Sequence, residues 1–330
     1  MKKNIVSALA AAGVTAGLVL SGFAVNPAFA LATLPSTDTI YVITCDPSFD
    51  DLTLLSVTSD GTSSSIGNGD GNLNGKCAAG AAWDKAAQAA YFTSYNVGTG
   101  NMDVWTTAVT DGTPSFVSTL STGTSSEGGS ISINSAGAAQ VVDNGVFFDA
   151  NLISGAETEI AASQVNGTNG FYYIIQAFNQ FDGKLYAINA DDTEDDVPPL
   201  NNMLYTVDPS TGVVFGNSGP HISGLPDVGN VRSLAFDSAG IGWAVASGAD
   251  GNEHLWSFDV ATATFVDQGP LLYNGNSFNT SGMFISQPVT SPSPSLPNTG
   301  LDVAPVAGLG VFLAVGGAVA LVLIRRRTAG

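Results

Sequence analysis

Basic residues are scarce: nine lysines and arginines in 330 residues, with Lys2, Lys3, Arg325, Arg326 and Arg327 at the extreme ends. The long middle keeps Lys76, Lys85, Lys184 and Arg232 against all but one of the twenty-eight acids. A field of that sign repels phosphate and anionic headgroups, which excludes nucleic acid as a partner. Charge of either sign is short, 11% of residues where roughly a quarter is usual. Hydrophobic residues still make up 44%, so the chain is not of the disordered class. Histidine is confined to His221 and His254, and no Gly-x-Ser-x-Gly, His-x-x-x-His or phosphate-cradling glycine loop beside a helix occurs. These gaps leave enzyme status disfavoured and no organic cofactor expected. A subunit stiffened by Lys-derived isopeptide bonds is disfavoured too, because only Lys76, Lys85 and Lys184 stand in the body and two of them lie in Gly-flanked turns.

What the chain does have is concentrated at its ends. Residues 1–32 open with Met1-Lys2-Lys3-Asn4, continue through an apolar run and close on Ala28-Phe29-Ala30-Leu31-Ala32. That is the layout of an export signal with small residues at the cut, placing the mature start at Leu31 or Thr33. At the other end, residues 306–324 are nineteen positions without a charge, a length that as a helix reaches about 29 Å, enough to cross a bilayer. Arg325, Arg326 and Arg327 follow at once and hold that end on the cytoplasmic side, which puts the body outside the cell.

Just ahead of the apolar run stands Leu296-Pro297-Asn298-Thr299-Gly300. A Leu-Pro-x-Thr-Gly pentapeptide, an apolar helix and a basic tail, in that order, resemble the sorting signal of Gram-positive cell-wall-anchored surface proteins. The resemblance covers 296–330. It implies a sortase as partner, with Leu296 and Pro297 recognised, Asn298 at the permissive position, and cleavage between Thr299 and Gly300. The enzyme's cysteine would take the Thr299 acyl group as a thioester and pass it to a peptidoglycan amine. Pro297 kinks an extended peptide, and the membrane segment keeps the substrate at hand until the exchange is complete. The Pro/Ser spacer 287–295 before the motif reaches about 28 Å as polyproline II, so the body is expected within the envelope or barely above it.

The body, 33–286, shows no helical period. Short runs such as Ile40-Tyr41-Val42-Ile43, Val104-Trp105-Thr106-Thr107 and Leu185-Tyr186-Ala187-Ile188 are closed by Asp-Gly, Thr-Gly or Asn-Gly punctuation, which predicts an all-β domain. The runs recur. Residues 204–214 and 255–265 align without a gap as Leu-aromatic-x-apolar-Asp, a tight turn and a return strand. A second unit, Val231 to Gly240 before Trp243, is echoed by Cys77 to Asp84 before Tyr91. A four-stranded unit repeating every 40–50 residues is the signature of β-propeller blades. Blades are expected at 75–120, 128–163 (short and degenerate), 171–220 and 230–270. Three strands in 37–67 and one at 282–286 make a fifth that closes the ring. The resemblance here is to secreted bacterial β-propellers with Leu-Tyr-x-Val-Asp-x-x-Thr-Gly hairpins. A β-sandwich or β-helix is the alternative arrangement, and the blade count is open by one or two.

Cys45 and Cys77 are the only cysteines; an even count in an exported chain predicts a disulfide, here stapling the ring seam. Asp70-Gly71-Asn72-Leu73-Asn74-Gly75 matches the first half of a calcium loop, with Asp70, Asn72 and Asn74 as ligands, but Ala81 stands where the bidentate acid belongs. The acids of 191–196 read as a solvated loop. Asp208, Asp237 and Asp259 read as turn residues bonding their own backbone, and Tyr172, Tyr173, Trp105, Trp243 and Trp256 as mostly core. The expected function is therefore a non-enzymatic module binding an extracellular protein or glycan. The alternative is a propeller hydrolase using carboxylates or a bound metal around the axis, which a channel filled by apolar side chains would disfavour.

Overall fold

The computed structural model describes residues 32–44, 53–68, 78–96, 98–121, 130–143, 146–162, 175–188, 203–212, 219–226 and 231–288. Among them the regular elements are strands, with no helix. β1 (Thr39–Thr44), β2 (Thr53–Val57) and β3 (Thr62–Asn68) come first. Blade 1 follows as β4 (Ala78–Asp84), β5 (Ala89–Asn96), β6 (Asn101–Thr107) and β7 (Pro114–Thr119). Blade 2 is β8 (Ser130–Ile133), β9 (Ala139–Asp143), β10 (Val146–Asn151) and β11 (Ala156–Ala162). Blade 3 is β12 (Ile175–Asn179), β13 (Lys184–Ile188) and β14 (Leu204–Val207). Blade 4 is β15 (Val231–Phe236), β16 (Gly242–Ser247), β17 (Glu253–Asp259) and β18 (Thr264–Pro270). The short β19 (Leu272–Tyr273) and β20 (Asn276–Ser277) precede β21 (Thr280–Ser286).

Each of blades 1 to 4 is an antiparallel meander in chain order. The fifth sheet runs β20-β19-β3-β2-β1-β21, so the last strand pairs with the first, Met283 opposite Val42 and Ser286 opposite Thr39. The chain is thus an all-β, five-bladed propeller sealed by its own ends, as the sequence predicts. This closure joins the two ends of the chain so that the array of blades has no open end. The second blade departs from expectation, carrying four full strands rather than a degenerate set, while the third shows three among the described residues. The ring also extends one residue beyond the expected body: Gln287, read from sequence as spacer, is 3% exposed.

Five apolar cores lie between successive blades, and the strands feed them alternately. On β1, Ile40 and Val42 point into the core shared with blade 4, while Tyr41 and Ile43 point into the core shared with blade 1. On β13, Tyr186 and Ile188 face blade 4 while Leu185 and Ala187 face blade 2. Met102 and Val104 of blade 1 meet Ile131 and Ile133 of blade 2 in the fifth. A strand buried on both faces needs apolar residues at consecutive positions rather than strict alternation, which is why these runs read as continuous. Each such side chain contributes about 1.5–3 kcal/mol, spread around the ring rather than pooled in one centre. Trp105, Trp243 and Trp256 are all core residues, 9%, 0% and 4% exposed.

The repeated hairpin turns share one geometry. Gly212 N–H donates to Asp208 O and Ala263 N–H to Asp259 O, both at 2.8 Å, and both closing residues have positive φ, 66° and 48°. The fifty-one-residue repeat thus extends to a left-handed turn position where Gly is relaxed and Ala is tolerated under strain.

Candidate functional site

The hairpins β4–β5, β8–β9, β12–β13 and β15–β16 all close at one end of the ring, called here the turn end; β21 finishes and β1 begins there. The strand ends flanking 45–52, 69–77, 122–129, 163–174 and 189–202 lie at the opposite end.

The axis offers little room. A cavity of about 40 Å³ is lined by side chains of the innermost strands, among them Ala81, Ile131, Phe178, Leu234, Met283 and Phe284, and no acid is among its lining residues. A volume of that size holds about one water. Ser132 Oγ and Gln180 Oε1 are its buried polar atoms without a partner among the described residues. At the turn end the opening is knotted by Gln287. Its Nε2 donates to Phe236 O (2.9 Å), its Oε1 accepts from Lys85 Nζ (3.3 Å), and its backbone oxygen accepts from Trp83 Nε1 (3.2 Å) and Gln88 Nε2 (3.0 Å).

Three acids near this end are occupied with their own turns. Asp208 Oδ1 accepts from Ser210 N–H (2.8 Å) and its hydroxyl (2.7 Å), which hold the carboxyl below the usual range. Asp259 Oδ1 accepts from Ala261 N–H (2.7 Å). Asp237, fully buried, accepts from Ala239 N–H, Ile241 N–H and Trp243 Nε1, yet burial outweighs those bonds and pushes its carboxyl up. All three are turn residues, as their sequence context suggests.

Two grooves open between blades at the turn end. The larger, about 510 Å³, lies between blades 1 and 2 and is lined by Asp84, Tyr91, Asp149, Asn151, Ile153 and Thr158 among others. The other, about 390 Å³, lies between blades 3 and 4 around Asp182, Lys184, Tyr186 and Thr206. Their tyrosines are equivalent. Tyr91 pairs with Ala82 and Tyr186 with Ala177, each on the third rung from its turn. The grooves differ in how committed these tyrosines are. Tyr186 hydroxyl donates to Asp182 Oδ2 at 2.7 Å, and burial followed by that bond pushes the phenol well up. Tyr91 hydroxyl makes no hydrogen bond among the described residues, and burial followed by the nearby Asp84 charge raises its phenol.

The opposite end holds two polar clusters on blade 4. Glu253 Oε2 accepts from Thr280 N–H (2.7 Å) and hydroxyl (2.6 Å), its Oε1 is 4.0 Å from Arg232 Nε, and burial pushes its carboxyl up. His254 is clasped between carboxylates, Nδ1 2.8 Å from Asp267 Oδ1 and Nε2 3.0 Å from Asp250 Oδ1. Both ring nitrogens are engaged with carboxylates, so His254 staples β17 to β18 and to the turn at Asp250. Among the described residues no group of three or more His, Cys, Asp and Glu converges as a metal requires, and no helix is long and apolar enough to cross a membrane.

Several sequence-derived candidates lie outside the described residues: Cys45 and Cys77, the calcium set Asp70, Asn72 and Asn74, the acids of 191–196, Tyr172 and Tyr173, the motif Leu296, Pro297, Asn298, Thr299 and Gly300, and the segment 306–324. Sequence reasoning missed the grooves and the His254 clasp. The one available signal for the grooves was the matched seven-residue spacing of Asp84 to Tyr91 and Asn179 to Tyr186.

No protein-family model matches the chain, and no curated protein does. Among solved structures it is similar to a chain of a nidogen/laminin complex (10% identity, TM-score 0.46, covering 76% of this chain and 98% of that one). It is also similar to TolB from Acinetobacter baumannii (15%, 0.43, 72% and 54%) and to a gluconolactonase from Xanthomonas campestris (12%, 0.38, 72% and 87%). Likeness at that level says nothing of what this chain binds or does.

Proposed function

We propose that this chain is an exported protein of a Gram-positive surface, joined covalently to peptidoglycan by a sortase, whose propeller binds an extracellular ligand without catalysing a reaction. The observation that carries the anchoring is the ordered set of Leu296-Pro297-Asn298-Thr299-Gly300, the uncharged 306–324 and Arg325 to Arg327, behind an export signal at 1–32. In this reading the Thr299–Gly300 peptide bond is broken by a cysteine thiolate, the Gly300 amine leaves with the membrane segment, and an amine of the wall precursor releases the thioester to form a new amide. Before sorting, 306–324 spans the membrane as a helix. Residues 1–32 are removed, and Cys45 and Cys77 are joined once the chain is outside.

Binding rather than catalysis is supported by what surrounds the axis. A hydrolase of this architecture needs carboxylates or a metal converging on a reachable cavity, whereas the lining is mostly apolar, with Ser132, Gln180 and Gln287 as its uncharged polar side chains and no acid, around about 40 Å³. Asp208, Asp237 and Asp259 at the turn end are engaged with their own turns. Lysozyme digestion of intact cells tests the anchoring. The protein should be released with wall fragments, lacking 300–330, while a Pro297→Ala, Thr299→Ala double variant should stay in the membrane fraction. Wild-type protein that remains with lipid and keeps its C-terminal tail after digestion defeats the proposal.

A further inference from the structure

The groove between blades 1 and 2 has a composition that its surroundings lack. Its volume, about 510 Å³, falls within the roughly 300–1,000 Å³ of small-ligand sites. One wall is the end of blade 1. Asp84 Oδ1 is saturated by Ala86 N–H and Ala87 N–H, both at 2.9 Å. Its Oδ2 has no hydrogen bond among the described residues and faces Gly137 of blade 2, where a Cβ would stand 3.4 Å away. Gly137 has φ of 81°, so the turn that leaves this oxygen uncovered also requires glycine. Tyr91 hydroxyl stands beside Asp84 with no bond of its own. The other wall is blade 2, with exposed Asp149, Asn151 and Thr158 and an apolar lip at Ile153, 70% exposed.

Three features select the ligand. The groove contains no Lys or Arg, and the chain's net charge is −19, so a phosphate, sulfate or uronate meets repulsion. Acceptors on Asp84 Oδ2 and Asp149, whose Oδ1 accepts from Gln140 Nε2 (3.3 Å) and whose Oδ2 has no bond among the described residues, alternate with uncharged donors on Tyr91, Asn151 and Thr158. That suits hydroxyl groups, which donate and accept, better than an ammonium group, which only donates. Ile153 and the alanines beside it offer an apolar strip for C–H faces. The blade 3–4 groove lacks this openness, since Asp182 already holds the Tyr186 hydroxyl and Lys184 intrudes.

We infer that the groove between blades 1 and 2 is a binding site for a neutral sugar unit of a glycan, with Asp149, Tyr91 and the free oxygen of Asp84 bonding its hydroxyls. This deepens the binding-module reading and rests on it. The test is titration calorimetry of the full chain in a sugar-free zwitterionic detergent. The probes are neutral trisaccharides of glucose, mannose, galactose and N-acetylglucosamine, with trigalacturonate as the acidic counterpart. At least one neutral sugar should bind with a millimolar or tighter constant, and trigalacturonate should not. Tyr91→Phe and Asp149→Ala should each weaken binding about tenfold, the loss of one to two hydrogen bonds, without moving the melting temperature. Failure of every neutral sugar to bind, binding unchanged in both variants, or equal binding of the uronate overturns the inference. A chain released by lysozyme that binds no neutral sugar keeps the surface-protein reading and loses this one.

Discussion

The ring is held shut at one place that a single substitution can open, and its cost follows from the structure. Gln287 is the last buried residue of the body, 3% exposed, and joins three innermost strands: its own β21, β4 through Trp83 and β15 through Phe236. Gln287→Ala keeps the backbone oxygen that receives Trp83 Nε1 and Gln88 Nε2, and removes the bonds to Phe236 O at 2.9 Å and from Lys85 Nζ at 3.3 Å. The Phe236 carbonyl loses its Gln287 donor beside the axial cavity, where desolvation costs about 1–3 kcal/mol, and the Lys85 bond, half-exposed, adds under about 1 kcal/mol. The expected loss is about 2–3 kcal/mol. For a domain of this size each kcal/mol moves the melting temperature by about 2–4 °C, so calorimetry should record a fall of about 5–10 °C. Lys85→Ala, which removes the outer bond alone, should fall by no more than about 3 °C on the same scale. Equal melting temperatures for wild type and Gln287→Ala would show that the seam is closed by the β1–β21 ladder alone and that the Gln287 bonds are incidental.

Further outcomes follow from other sites. Gly242→Ala places a Cβ 2.1 Å from Phe258 Cζ, a ring stacked on Phe265 at 4.5 Å and 2% exposed, so it cannot swing clear. Overpacking there should cost about 3 kcal/mol or more, read as a lowered urea midpoint; an unchanged midpoint refutes the packing described for blade 4. Glu253 carries a carboxyl raised by burial. Its protonated form is favoured by folding, so its contribution is full below the ordinary value of 4.5 and is lost as pH rises through the higher folded value. Glu253→Gln should therefore melt above wild type at pH 7, with the difference closing as pH falls below 4.5; a difference that widens in acid contradicts that sign.

How much of this was legible depends on whether the signal lay along the chain or across it. The hairpins at 204–214 and 255–265 were readable because strand, turn residue and spacing are all local, and Asp208 and Asp259 do what their turn context predicts. The ring closure was readable as well, since three strands at the front and one at the back were left over. Blade 2 reads as degenerate because its span, 128–163, falls short of the 40–50-residue period, yet its first hairpin turns on Asn134 to Gly137 as that of blade 4 turns on Asp237 to Gly240. Asn134 performs the same task, its Oδ1 accepting from Ala136 N–H and Ala138 N–H. The groove and the His254 clasp were not legible. Asp84 and Gly137 are fifty-three positions apart, and Asp267 reaches His254 from the neighbouring strand. Only the packing of blade 1 on blade 2, and for His254 the pairing of β17 with β18, brings such residues together.

The same geometry decides where ligand chemistry can reside in this fold. Each blade feeds the cores on both of its sides, so side chains along the strands are committed to packing and a polar substitution there meets an apolar neighbour on either face. The axis is no exception, because alanines at Ala81, Ala177 and Ala235 let the innermost strands approach until little volume is left. What remains free is the set of residues at strand ends, where one blade's turn overhangs the next. The turn end carries uncovered oxygen and hydroxyl groups at Asp84 and Tyr91, next to blade 2, without a basic residue among the lining. If the axis instead held the functional chemistry, exchanging Ala235 for Leu would abolish ligand binding while Asp149→Ala left it intact. A site in the groove between blades 1 and 2 requires the opposite ranking.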